Sequence, residues 1–450
     1  MIFHHLPGIR VLNLRDNSSR GDIRSGSLDY EPLFLLPMRY FSQLPTLLVQ
    51  LRNTYINAND PRFDMRVSPD GVDIISENTR VAIINVFPLY TGTTAAVLDY
   101  QCALRDLGYD VKLYQLVFPD KRLSYPLSDV KIKGFTFLPR NLRIPFNTLL
   151  LLPRKLKNLK EEIVIIADQS MMNLRKLFPD SFVIVHDLRE LSEFSESLFR
   201  RLYFNYVLRN IGNGENLIAV SEYTKSVLSL KYGLNVDINV IPLFSSIEVD
   251  RSEILKKMKN GLTGKDKINV LYLAADRPYK NIKLFLQVAK IMGSTEYRER
   301  FHFILVSRLR QRTKKCAKKM RITNLEIIEH AENIRDLYII SDILMFPSLI
   351  EGFGLPLVDA MSFGIPVLYS NRRPMTDIVG SAGIALDPLD ANLWVAELQK
   401  LSEPNAYNER VAMSYVRSRI YSYDNFKNKL KMVIEKQMQK TKHPFLENKD

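Results

Sequence analysis

The sequence predicts an α/β protein with two doubly wound halves, each built on a parallel sheet. Short apolar runs that favour buried strands alternate with segments whose apolar residues recur at helical spacing. This alternation begins at Arg80 and restarts after GLTGKDK, residues 261–267, which are rich in glycine and lysine. The length of 450 residues also exceeds what one ordinary core supports, so two domains are expected.

The first series opens with RVAIINVF, the short apolar run of a buried strand. The loop LYTGTT follows with Gly92, and then a helix on which Val97, Tyr100 and Leu104 share one face. DVKLYQLVF returns as a strand and completes a βαβ unit. EIVIIA, FVIVHD, NLIAVS and INVIP predict the further strands of this sheet.

The second series opens with INVLYLAA, and the helix after it places Ile282, Phe285, Leu286 and Ala289 on one face. FHFILVS, LEIIE, DILMFPS and IPVLYS predict its other strands. Doubly wound sheets bind ligands beyond the carboxyl ends of their strands, so we expect the site in a cleft between the two halves.

These patterns divide the chain into four parts. We expect an N-terminal extension of unknown role over residues 1–79, a first domain over 80–248, a second domain over 249–420, and a C-terminal helix with a tail over 421–450.

A formal charge of +14 implies an anionic partner, which is nucleic acid, acidic lipid headgroups or a phosphorylated substrate. Residues 131–160 are basic and contain no acidic residue, and residues 308–321 form a second basic cluster. This second cluster has no aromatic residue for base stacking, unlike typical single-strand-binding surfaces. A nucleic-acid-binding protein would therefore explain the charge and little else.

The sequence also predicts a cellular compartment. Two cysteines, Cys102 and Cys316, cannot build a disulfide framework, which suits a reducing environment. The first twenty residues lack the apolar segment of a secretory signal, and no uncharged apolar run approaches the length of a membrane span. We expect a cytoplasmic protein, or one bound peripherally to the cytoplasmic face of a membrane.

The segment PSLIEGFGLPLVDAMSFGIPVLYS carries the candidate binding site. DILMFPS predicts a strand, so the loop with Glu351, Gly352 and Gly354 leaves its carboxyl end, and a proline then begins a helix. Free N–H groups and the positive end of that helix would bind phosphate. Glu351 and Asp359 would bracket the ligand as hydroxyl acceptors. The alternative is a tight strand–helix turn in which Asp359 only favours the helix dipole.

The full string resembles the signature of family 4 retaining glycosyltransferases of the GT-B fold. That signature has a strand ending in Pro-Ser, then Glu-Gly-Phe-Gly-Leu-Pro, and a second acid eight residues after the first. DIVGSAGIALDPLD continues the resemblance, which spans residues 81–390 and is strong over 341–390. It implies two Rossmann-like domains that face a cleft, with the acceptor on the N-terminal side and a nucleotide sugar bound by the C-terminal domain.

The resemblance also assigns roles to residues of this string. It implies that Glu351 contacts the donor sugar and that Asp359 contacts the ribose, with Gly352, Phe353, Gly354 and Leu355 in the donor-binding loop. The second acid of the family is normally Glu, so the shorter Asp359 puts donor choice and affinity in doubt.

AADRPYKN resembles the family's Arg/Lys pair for the diphosphate. Arg277 and Lys280 would supply a planar fork and a point charge to a leaving diphosphate. Lys280 fits the pattern well, whereas Arg277 lies closer to it in sequence than the usual arginine. The alternative is a solvated pair that caps a helix. TGTTAAV places Gly92 where relatives have a glycine loop near the donor diphosphate and the acceptor.

Two segments of the first domain complete the resemblance. VIVHDLREL puts His186 and Asp187 at a strand end, like a His-Asp pair that faces the donor sugar in relatives. Spacing alone favours a histidine capped by its neighbour. AVSEYTKSVL also matches a family segment in which Ser221 begins a helix, although it is equally consistent with a simple cap. VIPLFSS lacks the Asn-Gly that commonly follows this strand.

The resemblance therefore implies transfer of a sugar from a GDP- or UDP-linked donor to an acceptor hydroxyl, with retention and without a metal or other cofactor. The acceptor is a saccharide or a lipid-linked saccharide. Leu149 to Leu152 with flanking bases predict contact with an anionic membrane surface, and the alternative is a buried helix with a solvated basic face. A non-catalytic relative that binds the nucleotide sugar and organises a glycan-assembly complex is the second hypothesis.

Overall fold

The computed structural model describes residues 79–87, 92–118, 128–195, 197–212, 214–234, 238–331 and 333–442. They belong to one compact unit, residues 73–450. The predicted extension over residues 1–79 lies outside the described residues except for Thr79, and so does the loop 88–91 ahead of Gly92.

Seven parallel strands form the first sheet, in the order β3-β2-β1-β4-β5-β6-β7. They are β1 (Arg80–Asn85), β2 (Asp110–Val117), β3 (Val130–Lys133), β4 (Ile163–Ile166), β5 (Phe182–Val185), β6 (Leu217–Ala219) and β7 (Asn239–Val240). We call the part of the chain built on this sheet the N-terminal domain. Sequence patterns did not predict β3, an edge strand whose lysines are exposed.

Six parallel strands form the second sheet, in the order β10-β9-β8-β11-β12-β13. They are β8 (Ile268–Leu273), β9 (Phe301–Val306), β10 (Leu325–Ile328), β11 (Ile343–Phe346), β12 (Val367–Ser370) and β13 (Ile384–Leu386). We call this part the C-terminal domain. The two parallel sheets confirm the predicted fold class.

Helices connect the strands. They are α1 (Gly92–Asp106), α2 (Arg140–Phe146), α3 (Leu152–Leu156), α4 (Leu198–Val207), α5 (Glu222–Tyr232), α6 (Arg251–Asn260), α7 (Ile282–Met292), α8 (Gln311–Met320), α9 (Ile334–Ile340), α10 (Leu355–Ser362), α11 (Met375–Val379), α12 (Ala391–Leu401), α13 (Pro404–Ser418) and α14 (Tyr423–Lys442). A π-helix, Asn147–Leu151, joins α2 to α3. Short 3-10 helices cover Gln169–Lys176, Arg189–Leu191, Leu208–Asn210, Pro278–Lys280, Glu296–Glu299 and Gly380–Ala382.

The apolar residues that predicted α1 and α7 face the core. Val97, Tyr100 and Leu104 of α1 are buried, as are Ile282 and Phe285 of α7. Both helices cover a sheet whose strands are buried runs of β-branched and aromatic residues, as in parallel sheets covered on both faces.

The last helix, α14, packs against the N-terminal domain. The ring of Phe426 lies edge-on to that of Tyr100, with centroids 4.9 Å apart, and Phe244 lies 5.0 Å from Phe426. The Tyr423 hydroxyl donates a hydrogen bond of 2.5 Å to Asp106 at the end of α1. The chain therefore returns to its first domain after completing the second.

The apolar segment predicted at residues 149–152 is only partly exposed. Leu151 and Leu152 are buried in the core of the N-terminal domain, whereas Leu150 is exposed. The burial of Leu151 and Leu152 fits the alternative of a buried helix with a solvated basic face, because the helical path turns successive side chains in different directions, and membrane contact stays a prediction.

Strand order reverses between β1 and β4 in the first sheet and between β8 and β11 in the second. Loops leaving adjacent strands diverge at such a point, which opens a crevice at the carboxyl edge of the sheet. Lys280 follows β8 and Glu351 follows β11, so the switch point of the second sheet holds both residues.

Candidate functional site

A cleft of about 590 Å³ lies between the two domains. The N-terminal domain contributes Phe87, His186, Asp187, Arg189, Glu190, Arg200, Val220 and Leu243. The C-terminal domain contributes Leu273, Ala274, Ala275, Arg277, Tyr279, Lys280, Glu351, Gly352, Phe353, Gly354, Leu355 and Pro356. Among the ten site residues predicted from the sequence, eight therefore line one cavity: Glu351, His186, Lys280, Arg277, Gly352, Phe353, Gly354 and Leu355.

The loop after β11 has the geometry that its sequence predicts. Gly354 adopts φ +107°, a conformation that favours glycine, and α10 begins at the next residue with a proline in its first turn. Within the described part of the chain, no hydrogen bond is donated by the amides of residues 351–355. These amides line the cleft and supply donors beside the positive end of α10.

Lys280 and Glu351 form an ion pair in this cleft. Lys280 Nζ lies 2.5 Å from Glu351 Oε1, and the two side chains are only 17% and 12% exposed. The ammonium also lies 5.6 Å from the ring centroid of Phe346. The carbonyl of Lys280 accepts a hydrogen bond from the Tyr272 hydroxyl. The backbone of Lys280 is therefore fixed by a hydrogen bond. Its ammonium group can move from the Glu351 carboxylate to a phosphate oxygen.

Arg277 lies on the same turn as Lys280. It precedes the short helix Pro278–Lys280, which ends at Asn281 in the left-handed conformation, φ +54°. The Asn281 side chain donates a bond of 2.8 Å to the carbonyl of Pro388. This turn brings both cationic residues to the cleft, and their contact with a diphosphate stays a prediction.

His186 follows β5 and is buried at the edge of the cleft. Its Nε2 lies 3.0 Å from the carbonyl oxygen of Ala167, and because that oxygen only accepts, Nε2 carries the proton. The Asp187 carboxylate accepts the amide of Arg189 at 3.0 Å. His186 is thus oriented by the carbonyl of Ala167, the residue after β4, rather than capped by its neighbour Asp187.

Gly352 lies in direct contact with the N-terminal domain. A Cβ built on Gly352 would lie 1.7 Å from the carbonyl oxygen of His186. The carbonyl of Gly352 accepts hydrogen bonds from Ser221 Oγ at 2.7 Å and from Thr224 Oγ1 at 3.2 Å. The sequence predicted that this glycine admits a ligand. The structure shows that the absence of a side chain at Gly352 allows the backbone of His186, in the other domain, to approach closely.

Ser221 begins α5, as its sequence predicts. Its Oγ accepts the amide of Thr224 at 3.1 Å, which is an ordinary N-cap bond. The same hydroxyl donates to Gly352, so one side chain caps a helix and holds the loop of the other domain.

Asp359 lies on α10 and is not among the residues that line the cleft. It is buried and accepts a hydrogen bond of 3.3 Å from the Tyr338 hydroxyl. Burial raises the pKa of Asp359 to about 7. The pKa of Asp99 on α1 is also raised to about 7, first by burial and then by the charge of Asp359. Of the two acids, only Glu351 is among the residues that line the cleft, and the ribose contact of Asp359 stays a prediction.

Arg189 is a cleft residue that sequence patterns did not identify. Its Nη1 donates a hydrogen bond of 2.7 Å to the Tyr279 hydroxyl, and its guanidinium lies 4.5 Å from the Tyr279 ring centroid. Burial lowers the pKa of Arg189, but Asp187, Tyr279, Glu190 and Glu351 raise it above its ordinary value. This side chain crosses from one domain to the other.

Glu190 and Arg200 also escaped the sequence analysis. Arg200 Nη2 lies 2.8 Å from Glu190 Oε1, and the Glu190 side chain is buried. A charged residue after a strand is common in any α/β sheet, so DLREL carried no signal that could distinguish Arg189 and Glu190, and Arg200 lies outside that segment on α4.

Two other predicted residues are Phe353, in the loop before α10, and Gly92. Phe353 is buried, with its ring centroid 5.7 Å from that of Tyr421. Gly92 begins α1.

Among the described residues, no group of three or more His, Cys, Asp or Glu side chains is arranged to hold a metal ion. Nor is any helix in the described ranges both long enough and apolar enough to span a bilayer.

Residues 253–415 match the family model described as glycosyl transferases group 1. The chain is 25% identical over 264 residues to O-antigen chain mannosyltransferase RfbU of Salmonella typhimurium, which covers 56% of this chain and 68% of that protein. It is 29% identical over 163 residues to O-antigen chain mannosyltransferase B of Escherichia coli, covering 34% of this chain and 42% of the relative.

Solved structures share the fold. Sucrose-phosphate synthase of Thermosynechococcus elongatus aligns with a TM-score of 0.64 at 14% identity, over 80% of this chain and 99% of that one. WaaG, a glycosyltransferase involved in lipopolysaccharide biosynthesis, aligns with a TM-score of 0.61 at 14% identity, over 78% and 98% of the two chains. These alignments cover both sheets and identify the GT-B arrangement.

Proposed function

We propose that this chain, a GT-B protein with a group 1 glycosyltransferase domain, transfers a mannosyl residue from a nucleotide diphosphate sugar to an acceptor hydroxyl. We place the reaction in the assembly of a surface polysaccharide or glycolipid, on the cytoplasmic side of the membrane. The observation that carries the proposal is the Lys280–Glu351 ion pair beside the unbonded amides of residues 351–355.

The cationic turn and the loop amides suit a diphosphate. Lys280 and Arg277 lie on one turn at the cleft, opposite the start of α10. A departing diphosphate gains charge as the glycosidic bond breaks, and donors already aimed at that position stabilise it without reorganisation. In the exchange that we propose, Lys280 leaves Glu351 for a phosphate oxygen, and Glu351 accepts a hydroxyl of the donor sugar.

Retention follows if the acceptor attacks from the face that the diphosphate leaves. The bond between the anomeric carbon and the diphosphate oxygen breaks, a bond from that carbon to the acceptor oxygen forms, and the leaving oxygen takes the acceptor proton. Neither a protein nucleophile nor a metal takes part in this scheme. His186, whose imidazole is held by the Ala167 carbonyl, borders the space where the sugar would lie.

The sugar is proposed from the relatives, both of which are named as mannosyltransferases. The base of the donor is either guanine or uracil. Contacts that would distinguish the two bases lie outside the loop and the turn described above, so the assay compares GDP-linked with UDP-linked sugars directly.

The test measures nucleotide binding and transfer with Lys280→Met. We expect GDP or UDP to bind the wild type, and Lys280→Met to lower the affinity about 10- to 100-fold, as for a lost charge-assisted hydrogen bond. Lys283→Met is the matched control, because Lys283 is exposed on α7. Equal affinities for Lys280→Met and wild type would refute the diphosphate site.

A non-catalytic nucleotide-sugar-binding protein is the second candidate. The burial of Asp359 favours it, because the family places its second acid on the ribose. Glu351→Gln separates the two candidates. An enzyme loses turnover while nucleotide binding persists, whereas a binding protein shows no turnover with any donor in the wild type.

A further inference from the structure

A second cavity, of about 580 Å³, lies where the chain passes between the two domains. One wall comes from residues 245–254, which lead from β7 into α6 on the way to the second sheet. The other wall comes from residues 415–423, which end α13 and lead into α14 on the way back to the N-terminal domain. Segments of this kind absorb the change in backbone angles when two domains move, so a ligand held between them would bind at the junction of the domains.

The charged side chains of this cavity are all basic. Arg251 begins α6 and Arg419 follows α13, and both residues are exposed. Within the described part of the chain, neither guanidinium group has a hydrogen bond or an ion pair. Among the described residues that line the cavity, none is acidic. Two unpaired guanidinium groups from opposite walls are therefore available to an anion, and their planar geometry matches the oxygens of a phosphate group.

Aromatic rings and serine hydroxyls complete the lining. Tyr415, Tyr421 and Tyr423 all line the cavity. The Tyr421 hydroxyl donates a hydrogen bond of 3.0 Å to the carbonyl of Ile378, and the Tyr423 hydroxyl is bonded to Asp106. Because these two rings are already fixed, a ligand packed against them loses little affinity to the ordering of side chains. A ligand that uses the rings, the hydroxyls and the arginines together has a hydroxylated ring and a phosphate group, as a phosphorylated sugar does.

Two connections join this cavity to the loop after β11. The ring of Tyr421 lies edge-on to that of Phe353, with centroids 5.7 Å apart, and Phe353 lines the interdomain cleft. Helix α10 makes the second connection, because its first residue, Leu355, lines the cleft and its last, Ser362, lines the cavity. A ligand that shifts the walls of the cavity therefore acts on elements that hold the loop.

We propose that this cavity is a second, regulatory binding site for a phosphorylated sugar. Arg251 and Arg419 bind the phosphate, and the tyrosine rings and serine hydroxyls bind the sugar. Through Tyr421 and α10, occupancy of the cavity changes the affinity of the cleft for nucleotide, and nucleotide changes the affinity of the cavity by the same factor. The site itself is independent of the proposed function, whereas this coupling rests on it.

The experiment measures binding of mannose 6-phosphate to the full chain by calorimetry, with mannose and inorganic phosphate as separate probes. We expect mannose 6-phosphate to bind more tightly than either, because only this probe contacts both the arginines and the rings. Arg251→Met and Arg419→Met should each lower its affinity about tenfold, as for a lost charge-assisted hydrogen bond. Lys256→Met is the matched control, because Lys256 is exposed on the same helix as Arg251 and lies outside the lining of the cavity.

Lys280→Met shows which cavity holds the probe. It should leave the affinity for mannose 6-phosphate unchanged. Loss of binding by Lys280→Met, with wild-type binding by both arginine variants, would place the probe in the cleft and overturn the proposal. Absence of saturable binding to the wild type, or an equal loss with Lys256→Met, would overturn it as well. Inorganic phosphate that binds as tightly as mannose 6-phosphate would overturn the choice of a sugar phosphate.

The coupling is measured as the affinity for GDP or UDP with and without saturating mannose 6-phosphate. We expect a change of about fivefold or more in the wild type, and a smaller change in the two arginine variants. An unchanged nucleotide affinity would overturn the coupling. If the wild type binds neither nucleotide, the proposed function and the coupling are both refuted, and the arginine variants still decide whether the cavity binds the sugar phosphate.

Discussion

Replacing Gly352 by alanine tests whether the signature loop must touch the N-terminal domain. A Cβ at this position would lie 1.7 Å from the carbonyl oxygen of His186, 2.8 Å from its carbonyl carbon and 2.9 Å from Asp187 Cβ. The carbonyl oxygen and carbon belong to backbone that leads out of strand β5, so they cannot yield as the end of a flexible side chain would. The loop itself has to move.

The size of that movement follows from the contact. An ordinary approach of 3.4 Å requires the loop to retreat by about 1.7 Å. Such a retreat breaks the bonds from Ser221 and Thr224 to the Gly352 carbonyl, which are now 2.7 and 3.2 Å long. It also carries Glu351 away from the N-terminal domain. Misplacement of a reacting group by about 1 Å can cost about 100-fold in rate, so we expect Gly352→Ala to lose at least that factor in kcat.

The assay follows transfer of a labelled sugar, together with binding of the nucleotide diphosphate and thermal unfolding. Lys280 and Arg277 belong to the C-terminal domain and do not depend on the contact. We therefore expect nucleotide affinity to change only a few-fold while kcat falls. That split distinguishes a positioning effect from general damage to the donor site.

Gly233→Ala is the control. Gly233 adopts φ +59° at the end of α5, and a Cβ there would meet nothing within 4 Å. This change costs about 1–2 kcal/mol of folding stability through backbone strain and should leave kcat unchanged. If Gly352→Ala transfers sugar at the wild-type rate, contact between the loop and His186 is not required for the reaction.

Two further predictions concern stability. Because Asp359 and Asp99 have pKa values raised from 3.8 to about 7, both bind protons more tightly in the folded state, so stability declines as pH rises from about 4 towards 7. Asp359→Asn should flatten the fall in Tm between about pH 4 and 7, and an unchanged slope would contradict the burial of this charge. Phe426→Ala should cost about 3–5 kcal/mol in urea unfolding, because its ring is packed on Tyr100 between α14 and the N-terminal domain. Met432→Ala, at an exposed position of the same helix, should cost less than about 0.5 kcal/mol, and equal losses would argue against that packing.

Local patterns predicted most of the fold. Buried parallel strands read as continuous apolar runs, so β1, β8 and β11 are visible in the sequence itself. The edge strand β3 and the strand β13 were missed, because short strands that are only partly buried lack a continuous apolar run. The turn before α10 was also predictable, because glycine and proline set the backbone conformation at their own positions.

Residues of the site were likewise predictable from local sequence in some cases and not in others. Lys280 and Glu351 were predicted because each follows a recognisable strand, and the order of strands in the second sheet then brings them together. Arg189 was not predicted, because its importance comes from Tyr279, a residue of the other domain. The sequence left open whether Leu149 to Leu152 contact a membrane or lie in a buried helix, because composition does not indicate the direction in which a helical side chain points.

The sequence alone determined the two parallel sheets, the glycine- and proline-containing turn after β11 and the cationic turn after β8, because these depend on residues close together in the chain. Only the tertiary structure decided that Gly352 rests against His186, that Asp359 is buried beside the charge of Asp99, and that Arg189 reaches Tyr279. Each of these contacts joins the two domains. Their partners are set by how the sheets pack, which no local pattern of residues records.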